Sequence, residues 1–286
     1  MRYEAPQTLD QAVNIFSEFN GLKRILAGGT DILVQLRTGV IQPELLMNIK
    51  DIEELGKIEL FDNFWKIGAG VSAANITGNK EFSKEWPGIT EGVGLIGSTQ
   101  IQNRATLVGN LSNASPAADG VPALVAANAM VEIVGRSGNR KLEILSLISG
   151  PGKLSIKSDE FISHILIPRQ NKDSSDCYMR FIPRTEMDIA VVGCGVNLSV
   201  ENNNISAVRI VLGAVGPKII FSEEASNSLL GGNLNPDSLS KLQEICERDA
   251  KPIDDKRGTI DFRRKVAGVL AKRAVEKAYK RIMEDL

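Results

Sequence analysis

Cysteine, histidine and aromatic side chains are scarce in these 286 residues, and neither sign of charge is in excess. The three cysteines, Cys177, Cys194 and Cys246, stand far apart with no Cys-x-x-Cys spacing, so a thiolate site for zinc or an iron–sulfur cluster has no ligand set. The one histidine, His164, lies in a strand-like run with no partner pattern. A hydrolase triad or a histidine metal cluster therefore has nothing to rest on, and His164 reads as structural. Lys+Arg 34 against Asp+Glu 35 gives a net charge of -1, which leaves no basic footprint for nucleic acid or an anionic membrane. The longest apolar run, Ile189 to Val200, falls short of the about 18 residues that span a bilayer, and the first residues lack the apolar core of a signal peptide. The expectation is a cytoplasmic protein of about two domains, with no membrane insertion, that acts on small molecules or with other proteins.

What the chain has instead is a stretch of small and hydrogen-bonding residues from Gln100 to Pro122. Gly109 bears no side chain to block a close approach, and Asn110, Ser112, Asn113 and Ser115 carry donors, a composition that suits an acceptor-rich ligand such as a pyrophosphate. A second such place lies near the amino terminus. Thr8 is placed to cap a helical stripe at Leu9, Ala12, Val13, Ile15 and Phe16, and Lys23–Leu26 reads as a short strand. That strand runs into Ala27-Gly28-Gly29-Thr30-Asp31, after which Ile32, Leu33, Leu36 and Val40 fall near helical spacing. Strand, glycine turn and helix aim free backbone N–H groups at one point, where an anion is favoured. A tight turn alone explains one such loop; two in the same region argue for a ligand.

From Lys57 the pattern is mostly of strands: 57–61, 64–68, 130–134, 140–145 and 161–167, interrupted by helical stretches near 73–79 and 90–96. Asp62-Asn63 suits a hairpin turn. Gly92-Val-Gly94-Leu-Ile-Gly97 spells the dinucleotide fingerprint, with Asp119 further on, but no buried strand leads into it and no helix-forming run follows. Gly150-Pro-Gly152-Lys153 lacks the first glycine and the Ser or Thr of a P-loop, having Leu147 and Leu154 there, and reads as a turn. Asp119 is open to two roles, contact with ligand hydroxyls or capping a helix over 122–129. Residues 171–176 read as a linker, followed by strands at 177–182, 189–200 and 208–215, a turn at Asn202–Asn204, and helices at 236–246 and 259–286. If the chain stays extended past Arg180, then Arg180, Arg184 and Asp188 share one face of a cleft; otherwise they are a surface ion pair.

Leu26–Asp31, Ile101–Asn110, Ser115–Asp119, Gly150–Lys153 and Arg184–Ala190, taken together and in order, resemble the FAD-binding medium subunit of molybdenum hydroxylases, with the xanthine dehydrogenase type fitting best. The resemblance implies an α+β fold: a vanillyl-alcohol-oxidase-type FAD domain over 1–170, with subdomains at about 1–55 and 56–170. A smaller domain over 176–286 follows, with a three-stranded antiparallel sheet and a helical bundle. It implies that Leu26, Ala27, Gly28, Gly29, Thr30, Asp31, Ile32 and Leu33, with Thr106, Leu107, Val108, Gly109 and Asn110, wrap the FAD pyrophosphate. Asp119 would contact the cofactor, Ile96 and Ile162 lie beside the flavin, and Arg180 lie near its ring. Val108 departs from the usual glycine; valine is costly if the backbone takes positive φ there, and harmless if it is extended with the close approach left to Gly109. By the same resemblance no residue of this chain is catalytic towards the substrate. A molybdopterin-binding large subunit and a small subunit with two 2Fe–2S clusters are the partners, and electrons leave noncovalent FAD for NAD+, a quinone or oxygen. A self-sufficient FAD oxidoreductase or a flavin-free scaffold subunit is the alternative.

Overall fold

The computed structural model describes residues 1–184 and 187–285. Thr185 and Glu186 of the Arg184–Ala190 segment, and Leu286 of the helix expected at 259–286, lie outside the described residues.

The chain opens with a parallel sheet of β1 (Arg2–Glu4), β2 (Lys23–Leu26) and β3 (Leu45–Asn48), ordered β1-β3-β2. All four residues of β3 are buried, as the middle strand of a covered sheet requires. The helix Leu9–Glu18 turns Ala12 and Phe16 inward, and Thr8 caps it by accepting from the Gln11 N–H at 3.2 Å. The second helix is only Ile32–Arg37, and none of its residues is buried.

A second sheet is built from β4 (Ile58–Leu60), β5 (Phe64–Gly68), β6 (Met130–Gly135) and β7 (Gly138–Glu143), with β10 (Phe161–Pro168) at its centre, in the order β4-β5-β10-β6-β7. The run Phe161–Ile167 is buried throughout, because β10 has a neighbour on each side and packing on both faces. His164 sits in that strand with Nδ1 3.0 Å from the Glu132 carboxylate; burial and nearby Lys66 push it down to about 4, so it is a neutral core group at pH 7. The hairpin of β8 (Ile148–Gly150) and β9 (Lys153–Leu154) turns at Gly152, whose φ of 68° only glycine adopts freely.

The C-terminal sheet holds β11 (Ser174–Phe181), β12 (Val192–Glu201), β13 (Asn204–Gly213) and a two-residue β14 (Ile220–Phe221), all antiparallel. The sheet therefore has four strands rather than three. Asn202 and Asn203 both take positive φ, the conformation that a tight hairpin between right-twisted strands needs. The helices Pro236–Asp249 and Ile260–Asp285 cover this sheet and share its core with Cys177, Cys194 and Cys246; burial pushes the Cys177 and Cys246 thiols up to about 12, which makes them packing groups.

Other expectations shift for local reasons. The segment 171–176 is not all linker, since β11 starts at Ser174. The helix expected at 90–96 starts earlier, at Pro87, where proline's missing N–H costs nothing, and ends at Gly94. Gly92 and Gly94 are thus inside a helix, and the fingerprint they spell is no dinucleotide loop. The C-terminal sheet meets the helices Pro87–Gly94 and Val121–Ala126 with main chain close to main chain at two points: a Cβ on Gly88 would lie 2.5 Å from the Cys177 nitrogen, and one on Gly195 2.5 Å from the Pro122 carbonyl carbon.

Candidate functional site

A cleft of about 550 Å³ opens between the first sheet and the helical segment around 105–113, a volume usual for a cofactor site. One wall is the turn after β2. Gly29 has φ 81°, and Gly28 stands so near Arg104 that a Cβ would come within 2.2 Å of the Arg104 carbonyl oxygen. Only glycine lets these two backbones touch. Among the described residues, the N–H groups of Gly28, Gly29, Thr30 and Asp31 have no acceptor, four consecutive donors at the edge of a cleft. Such a run of free amides is an anion cradle. Asp31 is exposed, yet partial desolvation by its surroundings raises its carboxyl above the usual range.

The facing wall is a helix, Leu107–Ser112, where the sequence suggests a loop. Thr106 caps it, accepting from the Gly109 N–H at 2.9 Å, so the Leu107 and Val108 amides stay free at its first turn among the described residues. Val108 is the second residue of this helix and is buried. Its backbone is neither left-handed nor extended, so valine carries no backbone strain here. Asn110 ties the wall to the next segment, its Oδ1 accepting from the Gly120 N–H at 3.2 Å, and Asn113 reaches across to Asp31 at 3.4 Å.

Of the residues singled out from the sequence, Ala27 through Ile32, Ile96, Thr106, Val108, Gly109, Asn110 and Ile162 line the cleft. Ile162 stands where the pairing of β10 with β6 slips by one residue, a bulge of the kind that re-aims side chains at sites. Leu26 is buried at the end of β2, Leu107 points into the core at 0% exposure, and Leu33 is 52% exposed on the outer side of its helix. Asp119 and Arg180 lie behind the cleft rather than in its lining, joined by an ion pair of 2.6 Å. Burial pushes the Asp119 carboxyl up to about 6, against the pull of Arg180 and of the Tyr178 hydroxyl. Asp119 does not cap the following helix, whose cap is Gly120 with no side-chain hydrogen bond.

The shared face expected of Arg180, Arg184 and Asp188 is not formed. Strand β11 ends at Phe181, Arg180 turns to Asp119, and Arg184 pairs with Asp188 at 3.2 Å on the surface. Sequence reasoning also missed a wall. Phe16 and Phe161 meet edge to face at 5.5 Å and line the cleft with Lys23, Ile25, Leu154 and Glu160. Glu160 is held down to about 2 by the Arg140 guanidinium. The cleft thus offers an amide cradle and an apolar wall, a set that fits a nucleotide carrying a diphosphate and a flat ring.

Comparison with known proteins agrees with this geometry. Residues 1–170 match the model of the FAD binding domain in molybdopterin dehydrogenase, and 178–278 that of the CO dehydrogenase flavoprotein C-terminal domain. The xanthine dehydrogenase FAD-binding subunit of Escherichia coli O157:H7 is 27% identical over 96% of this chain and 95% of its own. The carbon monoxide dehydrogenase medium chain of Afipia carboxidovorans is 29% identical over 96% of each. A solved carbon monoxide dehydrogenase of Hydrogenophaga pseudoflava, lacking the Mo-pyranopterin moiety of its cofactor, superposes with a TM-score of 0.93 at 27% identity, covering 98% of this chain and 97% of that one. Fold and cleft define an FAD-binding subunit of an oxidoreductase complex. The chain belongs to the FAD-binding medium subunits of the xanthine dehydrogenase and CO dehydrogenase family. Among the described residues, no helix is long and apolar enough to cross a membrane.

Proposed function

We propose that this chain is the electron-transfer subunit of a heterotrimeric molybdenum hydroxylase of the xanthine dehydrogenase type. Four consecutive amides without acceptors, Gly28 to Asp31, carry the reading, because they are unpartnered donors on the lining of the cleft, the groups a diphosphate needs. In this arrangement they and the Leu107 and Val108 amides hold the FAD diphosphate, Ile96 and Ile162 flank the flavin, and Asp119 with Arg180 fixes the charge behind its ring. When bound, FAD supplies a carrier that collects electrons one at a time and releases them in pairs. The protein's own residues bind it, orient it and keep water from its apolar wall. A molybdopterin-binding large subunit and a small subunit with two 2Fe–2S clusters would deliver the electrons, and NAD+, a quinone or oxygen would accept them. In this reading 1–170 is the FAD domain and 176–286 a buttress behind it. The native complex purified through a tag on this chain tests the proposal by its visible spectrum. Flavin bands with iron–sulfur absorption and two co-purifying subunits are expected; flavin on a lone chain that oxidises substrate by itself would refute it.

A further inference from the structure

Strand β11 alternates between two surroundings. Cys177 and Met179 belong to the C-terminal core, while Asp176, Tyr178 and Arg180 face the FAD-binding part. The Asp176 carboxylate accepts from the Gly88 and Ile89 amides at 2.8 Å each, at the start of the helix Pro87–Gly94. Arg180 donates to Leu95 O at 3.0 Å, just past the other end of that helix, and to Asp119 at 2.6 Å. Tyr178 is 3% exposed and donates its hydroxyl to the other Asp119 oxygen at 2.8 Å. Both ties lead to the cleft, since Leu95 precedes Ile96, and Gly120, next to Asp119, donates to Asn110. Arg180 Nε is buried with no acceptor among the described residues, and both hydrogen bonds of the guanidinium leave from Nη1.

We propose that Tyr178 is a positioning residue for the flavin end of the cleft, fixing Asp119 and through it Arg180, Leu95 and Ile96. The inference rests on the reading that Ile96, Asp119 and Arg180 flank the flavin. Without the phenol, Asp119 keeps only Arg180 as a side-chain partner, and the carboxylate and guanidinium are free to swing together.

The test uses the whole complex, stripped of FAD and titrated with it. Tyr178→Phe is expected to weaken FAD binding about tenfold, the effect of one hydrogen bond to a charged group, and to change the visible circular dichroism of the bound flavin. Gly193→Ala makes the same point without removing the phenol. It lies opposite Arg180 on β12, and an added Cβ would stand 2.7 Å from the Tyr178 oxygen, pushing the hydroxyl off Asp119. The same two changes are expected, and this variant decides the matter if Tyr178→Phe does not assemble. A lower melting temperature with wild-type FAD affinity and dichroism in the variants would mean a merely structural tyrosine and would overturn the inference. A wild-type complex that takes up no FAD would instead overturn the functional reading beneath it.

Discussion

Replacing Gly28 by alanine puts a methyl group 2.2 Å from the Arg104 carbonyl oxygen and 2.8 Å from the Ala105 Cα. Neither neighbour is a side chain that can swing aside. An ordinary contact begins at 3.4 Å, so the two cleft walls must part by 1.2 Å, the difference between 3.4 and 2.2. Overpacking of this kind costs about 1–3 kcal/mol of stability. The larger effect falls on the ligand. Moving one set of amides by more than 1 Å stretches the hydrogen bonds to a diphosphate beyond useful length, and losing two bonds to a charged group weakens FAD binding about a hundredfold. The assay is the flavin-to-iron ratio of the purified complex, followed by FAD titration of the stripped form. Gly150→Ala is the control, since a Cβ there meets nothing within 4 Å. Should Gly28→Ala bind FAD as tightly as the control, the close approach of the two walls would not be what shapes the cradle.

Gly78→Ala, at a helix end with open space around it, should stabilise the protein by about 0.5–1 kcal/mol in a denaturant titration. Asp176→Ala should destabilise it by about 2–4 kcal/mol by the same titration, because the Gly88 and Ile89 amides lose their shared acceptor in a buried place. Burial pushes the Asp176 carboxyl up to about 7 from an ordinary 3.8, so the folded protein binds a proton there that the unfolded chain has released. The sign is that wild-type stability falls, relative to Asp176→Asn, as pH rises from about 4 to about 7. Melting curves of both proteins across that range check it, and a difference that grows in favour of wild type would refute it.

Elements with a strong local pattern were legible in the sequence. The alternation and apolar runs of β5, β6, β10 and β12 survive because burial decides them, and Thr8 marks its helix by a hydrogen bond that lies within four residues. The helix Leu107–Ser112 was not legible, since its glycine, asparagine and serine are poor helix formers and tertiary packing of Leu107, Val108 and Leu111 overrides them. Strand β14, with two residues, carries no period to detect. The cleft's glycine turns announced themselves because close backbone approach leaves a mark on residue type. Its apolar wall did not: Phe16 and Phe161 look like any core aromatics until folding sets them edge to face. Asp119 and Arg180 were singled out, but their bond to each other and the tie from Tyr178 were hidden for the same reason, since they span 61 and 59 positions of the chain.

The bare-backbone contacts at Gly88 and Gly195 have a mechanical consequence. At these two points main chain rests on main chain, and beside them Asp176, Tyr178 and Arg180 bond across the same boundary, so the two bodies cannot rock or slide without breaking contacts and hydrogen bonds together. The frame around the cleft is therefore a fixed mount rather than a hinge. On the proposed function, the distance from the cleft to an electron donor docked on the same frame would be set at assembly.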